Sequence, residues 1–133
     1  MLRKIFPDKE KAESIFRMAL EREKSVSKLD HTIFTTIATE NYYEIIKELA
    51  TAILLLSGIK ATGEDAHKEI LDSLEKYANF NSEEISIIQD LRLKRNKSMY
   101  EGKQINPSYL ENNKNALLKI IDELKKIINN QLK

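Results

Sequence analysis

Five positions punctuate this chain: Pro7, Gly58, Gly63, Gly102 and Pro107 are the only prolines and glycines in 133 residues. A sheet-rich fold needs a turn signal roughly every ten positions, so so few breakers confine the chain to long helices joined at these points. Apolar residues between the breakers recur at helical spacing. After Pro7, Asp8 can cap free backbone N–H groups, and Ala12, Ile15, Phe16, Ala19 and Leu20 share a face, predicting a first helix to about Ser25. The second runs from about Thr32 to Leu56, with Tyr42, Ile45, Ile46, Leu49, Ala50, Ile53 and Leu54 before the Ser57-Gly58 stop. Its length marks it as the central helix.

A third, shorter helix follows Thr62-Gly63, with Ala66, Ile70, Leu71, Leu74 and Tyr77 on one face until the polar stretch from Asn79 to Ser82. Asn81 and Glu84 form a capping-box pair for a fourth, which carries Ile85, Ile88 and Leu91 inward and ends at Gly102. Asn106-Pro107 caps and starts a fifth, with Leu110, Leu117, Ile120, Ile121, Leu124, Ile127 and Ile128. No strand alternation, linker or repeat interrupts the pattern. The expectation is a single all-α domain over residues 1–133, an up-and-down bundle of about five helices.

Composition narrows the chemistry. Hydrophobic residues at 41% and charged residues at 32% describe a soluble globule. With 22 Lys and Arg against 21 Asp and Glu, bulk basicity gives no argument for nucleic acid, although local patches remain open. The absence of cysteine excludes disulfides, Cys-ligated zinc, iron–sulfur sites and thiol catalysis, and two histidines, His31 and His67, cannot make a multi-His metal site. No metal or cofactor is expected. The opening MLRKIFPDKEK has no signal-like apolar region, and the longest apolar run, Ala52 to Leu56, is far short of a membrane span, so a cytoplasmic location is expected.

One segment stands apart. Leu91-Arg92-Leu93-Lys94-Arg95-Asn96-Lys97 packs four cations into six residues, and helical steps from Ile88 and Leu91 land on Arg95 and then Met99. Arg95 is therefore expected to face the core side or a cleft, while Lys94 and Lys97 point to water. An inward guanidinium requires an anion, since an unpaired buried charge costs several kcal/mol by order of magnitude. Two compatible readings stay open: an ion pair with Glu40, Glu44 or Glu48 of the second helix, or a phosphate clamp using the arginine fork, with Arg92 as a further cation. Asn96 and Tyr100, four apart, share a face beside it and can reach one ligand, or the tyrosine can pack on the bundle. Glu44 and Glu48 also share a face, which fits paired carboxylates less well than solvated charge beside Lys47.

Two stretches, YYEIIKELATAILLLSGIKATGEDAH at 42–67 and LRLKRNKSMYEG at 91–102, make the sequence resemble the HEPN superfamily of small helical proteins. The resemblance extends loosely over most of the chain. It implies a homodimer that brings two Arg-polar-x-x-x-His motifs into one cleft and, in active members, metal-independent RNA cleavage. It also implies, for many small prokaryotic members, a toxin paired with a minimal nucleotidyltransferase. Arg95 matches the motif arginine and Asn96 the polar residue, but Tyr100 stands where the histidine belongs. A free tyrosine is ionised in only about one molecule in a thousand at pH 7, which makes a poor general base. His67 is the remaining candidate proton carrier, in a position that resembles the family's Gly-x-Lys…His segment, though capping or packing the start of the third helix is the commoner role for such a residue. His31, in an interhelical connection beside Asp30, ranks below it.

The leading reading is therefore a HEPN-like protein that binds nucleotide or RNA phosphate through Arg95, Asn96, Tyr100 and Arg92, with catalysis absent or weak. An RNA endonuclease of toxin type, using Arg95 with Tyr100 as acid or His67 as base, is the enzyme alternative. A purely structural helical subunit is the third.

Overall fold

The computed structural model describes all residues from 1 to 133. The chain forms an all-α bundle: α1 (Lys9–Ser27), α2 (Thr35–Leu56), α3 (Ala66–Asp72), α4 (Leu74–Tyr77), α5 (Ser82–Glu101) and α6 (Pro107–Leu132). Helix α2 is the axis. It packs on α1, α3, α5 and α6, and its residues from Tyr42 to Leu55 are almost continuously buried, which is the pattern of a helix enclosed on all sides. No helix is long and apolar enough to cross a membrane.

Local chemistry sets most helix ends. Asp8 accepts from the Lys11 amide at 3.0 Å, so α1 starts as its cap dictates. Asn81 and Glu84 make both halves of the capping box, at 2.8 and 3.1 Å. Gly102 closes α5 in the left-handed conformation at φ 66°, and Asn106 accepts from Ser108 with Pro107 in the first turn of α6.

Three features differ from the sequence expectation. Helix α2 begins at Thr35, three residues late, because the Asp30 carboxylate takes the Thr32 amide at 2.9 Å, the Thr32 hydroxyl at 2.6 Å and the Ile33 amide at 3.3 Å. That local turn holds residues 30–33 out of the helix. The third helix is broken into α3 and α4 at Ser73, whose hydroxyl bonds back to the Ile70 carbonyl at 2.5 Å. Finally, the chain contains strands where none is expected: β1 (Leu2–Lys4) pairs antiparallel with β2 (Ile59–Ala61). Gly58 makes this ribbon possible. Its φ is 73°, and a Cβ there would lie 2.8 Å from the Ile5 carbonyl oxygen, so the chain can reverse off α2 and meet the N-terminal strand only with glycine.

The ribbon, joined by the Thr62 amide to the Met1 carbonyl at 2.9 Å, delivers the 62–68 segment to the C-terminal half of α5. There α5 runs antiparallel to α2: Ser98 donates to Glu40 at 2.8 Å, and Arg95 meets Glu44 a turn further on. This crossing positions the candidate site.

Candidate functional site

The α5 stripe that buries Ile88 and Leu91 continues to Arg95, which is 6% exposed, but not to Met99, which is 50% exposed. The expectation for Arg95 therefore holds and that for Met99 does not. Arg95 Nη2 lies 3.2 Å from Glu44 Oε1, and Nη1 donates to Asn96 Oδ1 at 3.3 Å. Its guanidinium stacks over the Tyr43 ring at 4.8 Å and lies 5.9 Å from the Tyr100 ring. Of the three acidic residues considered as its partner, Glu44 is the one used. Glu48 pairs instead with Arg22 of α1 at 2.8 Å, and Glu40 accepts from Ser98.

The ion pair leaves donors over. Arg95 Nε and the Tyr43 hydroxyl are both buried without a hydrogen-bond partner. Glu44 is itself shared, since its other oxygen takes Lys47 Nζ at 2.9 Å. Burial works to raise the Glu44 pKa, but the hydrogen bond and charge of Lys47, then the charges of Arg95 and Arg22, outweigh it and hold the carboxyl below its ordinary value. Tyr43 goes the other way, pushed up to about 12 by burial, so it stays a neutral phenol.

A cavity of about 330 Å³ opens in front of this cluster, between α5 and the segment that enters α3. Arg92, Arg95, Asn96 and Tyr100 line one wall, and Gly63, Glu64, Asp65, His67 and Lys68 the other. The five candidates singled out from sequence, Arg95, Asn96, Tyr100, Arg92 and His67, thus converge on one space. Arg92 is positioned by a relay that the sequence reading missed: its Nε donates to Gln89 Oε1 at 2.6 Å, and Gln89 Nε2 donates to Asp72 at 2.8 Å and to the Lys68 carbonyl at 3.2 Å. Tyr100 is 72% exposed, so it stands at the rim rather than in the bundle. His67 lies within α3 and near Tyr43, with ring centroids 6.4 Å apart. Desolvation, followed by the charges of Lys47 and Arg95, keeps its imidazole below the usual 6.5.

Other candidates fall outside the cavity. Lys97 is exposed as expected, whereas Lys94 is half-buried and sits over the Tyr109 ring at 5.8 Å. Glu44 and Glu48 are not solvated charges on an open face: their side chains are 21% and 8% exposed, and each is ion-paired. His31 lies 3.3 Å from the Tyr42 hydroxyl and does not line the Arg95 cavity. Nowhere do three His, Asp or Glu side chains gather at metal-ligating geometry. Tyr43 is the functional-looking residue the sequence concealed, because beside Tyr42 it reads as one more core aromatic; the available signal was its place one residue before Glu44.

No family model, no curated protein and no solved structure matches this chain. Chemically, the arrangement sets a nearly buried guanidinium, a second fixed arginine, an amide and a rim phenol across one polar space from Glu64, Asp65 and Lys68. Such a set suits a phosphate oxygen better than a carboxamide or an apolar ligand.

Proposed function

We propose that this chain is a HEPN-like, cytoplasmic, homodimeric protein that binds the phosphate of a nucleotide or RNA at the Arg95 cavity, with catalysis absent or weak. The carrying observation is the convergence of Arg92 and Arg95 on one cavity, with Arg95 buried and its Nε unpartnered. Glu44 tempers the site. It already occupies one side of the fork, so an incoming phosphate engages the remaining donors of Arg95 together with Arg92, rather than an empty bidentate clamp. Tyr100, in the position of the family histidine, supplies a hydroxyl donor to the ligand. Within this reading the biological partner is a minimal nucleotidyltransferase, in a toxin–antitoxin arrangement.

A titration with a short single-stranded RNA over a salt series tests the reading. Each lost phosphate contact lowers the slope of log affinity against log salt by about 0.7 for a single strand. Arg92→Ala is expected to weaken binding and reduce that slope by about that amount, and Arg95→Lys to weaken it further. Affinity indifferent to salt and to both substitutions would leave the chain a structural helical subunit and end the proposal.

His67 on the opposite wall favours a second reading, a metal-independent RNA endonuclease. Its imidazole, held below 6.5, is mostly neutral at pH 7 and so able to accept a proton. RNA incubated with the protein and chelator decides this. Cleavage lost in both His67→Ala and Arg95→Lys supports the enzyme, and the absence of product rejects it. A gain of cleavage in Tyr100→His marks an active site that lacks its proton carrier.

A further inference from the structure

We infer that an apolar cavity next to the Arg95 cavity is the base-binding half of a nucleoside monophosphate site, an inference that rests on the phosphate reading above. This second cavity, of about 310 Å³, opens between α1, α2 and α3. Ile15, Met18 and Ile70 give it carbon walls, and Lys47 and Glu48 form its α2 side. His67 lines both cavities, so the two spaces adjoin at this residue. Glu44 links a cation of each, since one of its oxygens holds Arg95 and the other holds Lys47.

The two halves differ in what they accept. The first offers two arginines with donors to spare. The second offers no arginine: its one cation, Lys47, is held by Glu44, which it shares with Arg95, and stands beside the Glu48 carboxylate and three carbon walls. A second phosphate meets one engaged lysine there rather than an arginine pair. What fits is a body with apolar faces and polar edges, the description of a nucleobase. Met18, soft and 46% exposed, and the ring of His67 are the surfaces on which such a plane packs. The ribose then lies across His67, where Glu64 and Asp65 stand on the rim of the first cavity. Those carboxylates accept from the ribose hydroxyls.

Calorimetric titration of the wild-type protein with adenosine 5′-monophosphate, ribose 5-phosphate, an alkyl phosphate and orthophosphate tests this. The nucleotide is expected to bind at least about tenfold tighter than ribose 5-phosphate, the usual scale of a stacked base. Met18→Glu, an exposed substitution compatible with folding, is expected to bring the nucleotide down to the level of ribose 5-phosphate. Equal affinities for these two ligands overturn the base site while leaving the phosphate reading intact. So does an alkyl phosphate that binds as tightly as the nucleotide, or a nucleotide margin that survives Met18→Glu. No phosphate-dependent binding by any of the four overturns both.

Discussion

Glu44 and Glu48 stand one turn apart on α2, and each meets an arginine from another helix, yet the two pairs have opposite characters. Glu48 is the more buried carboxylate and has one cation, Arg22, whose side chain is 38% exposed. Burial pushes its pKa up, and the Arg22 charge does not fully compensate. Glu44 is less buried, has two cations, and is pushed down. The cations differ more. Arg22 reaches outward into water, which satisfies whatever Glu48 does not, whereas Arg95 is 7% exposed in its side chain and keeps a buried Nε without a partner. A half-exposed arginine and an under-satisfied buried one, paired to the same helix, show that helical position alone does not set an arginine's role. The number of donors left over after structural pairing does.

The largest effect that can break this contrast is on stability. Arg95→Ala removes the buried partner and is expected to cost about 3 kcal/mol, the low end for a broken buried pair because Lys47 still covers Glu44. Arg22→Ala strands Glu48, whose side chain is 8% exposed and has no second cation, and is expected to cost about 2–3 kcal/mol, a loss that shrinks as pH falls and Glu48 takes up a proton. Urea unfolding of the two variants at neutral and acidic pH compares them, and an Arg22→Ala loss that ignores pH would erase the distinction. Next in size, Glu44→Gln is expected to destabilise by about 1–2 kcal/mol. It is also expected to tighten phosphate binding by releasing the Arg95 fork, where Glu48→Gln leaves affinity unchanged. Weaker binding in Glu44→Gln would mean that Glu44 orients the fork rather than competing for it.

The pH dependence sharpens the same comparison. Glu44 has a folded pKa below the ordinary 4.5, so its contribution is complete above 4.5 and is lost as pH falls through the folded value. Glu48 has a folded pKa above 4.5, so its ionised form costs stability above that folded value, and the cost is relieved as pH falls toward 4.5. The stability difference between wild type and Glu44→Gln therefore shrinks on acidification, while that for Glu48→Gln moves in wild type's favour. Unfolding curves collected from neutral pH to below 4.5 give both slopes, and parallel behaviour would contradict the assignment. The smallest effect is expected for Tyr43→Phe. It keeps the ring under Arg95 and removes a hydroxyl with no partner, so stability should change by less than about 1 kcal/mol, in either direction.

What sequence revealed follows from how local each determinant is. Asn81 with Glu84, Gly102, and Asn106 with Pro107 were legible because a cap and its partner lie within four residues. The inward turn of Arg95 was legible from its spacing to Ile88 and Leu91, which fixes a helix face. Its end at Met99 was not, because the core thins toward Gly102 and nothing in the spacing records that. The β1–β2 ribbon escaped notice since three-residue strands carry no alternation and depend on contacts far apart in sequence, such as Leu2 with Ala61, 59 residues away. The late start of α2 hinged on one side chain, Asp30, outbidding the helix for three donors. As for the site, residue types announced Arg92, Arg95 and Asn96, but the Gln89–Asp72 relay and the Tyr43 platform exist only through packing between helices.

Arg95, despite its bond to Glu44, is expected to take a phosphate oxygen. Proton–nitrogen NMR of arginine side chains observes this directly, with the Arg95 Nε–H signal identified by its loss in Arg95→Lys. On addition of orthophosphate and then adenosine monophosphate, that signal is predicted to shift and saturate with the same midpoint as binding, while the Arg22 signal stays in place. An Arg95 signal that remains still at saturating ligand, or moves no more than that of Arg22, would rule out that contact.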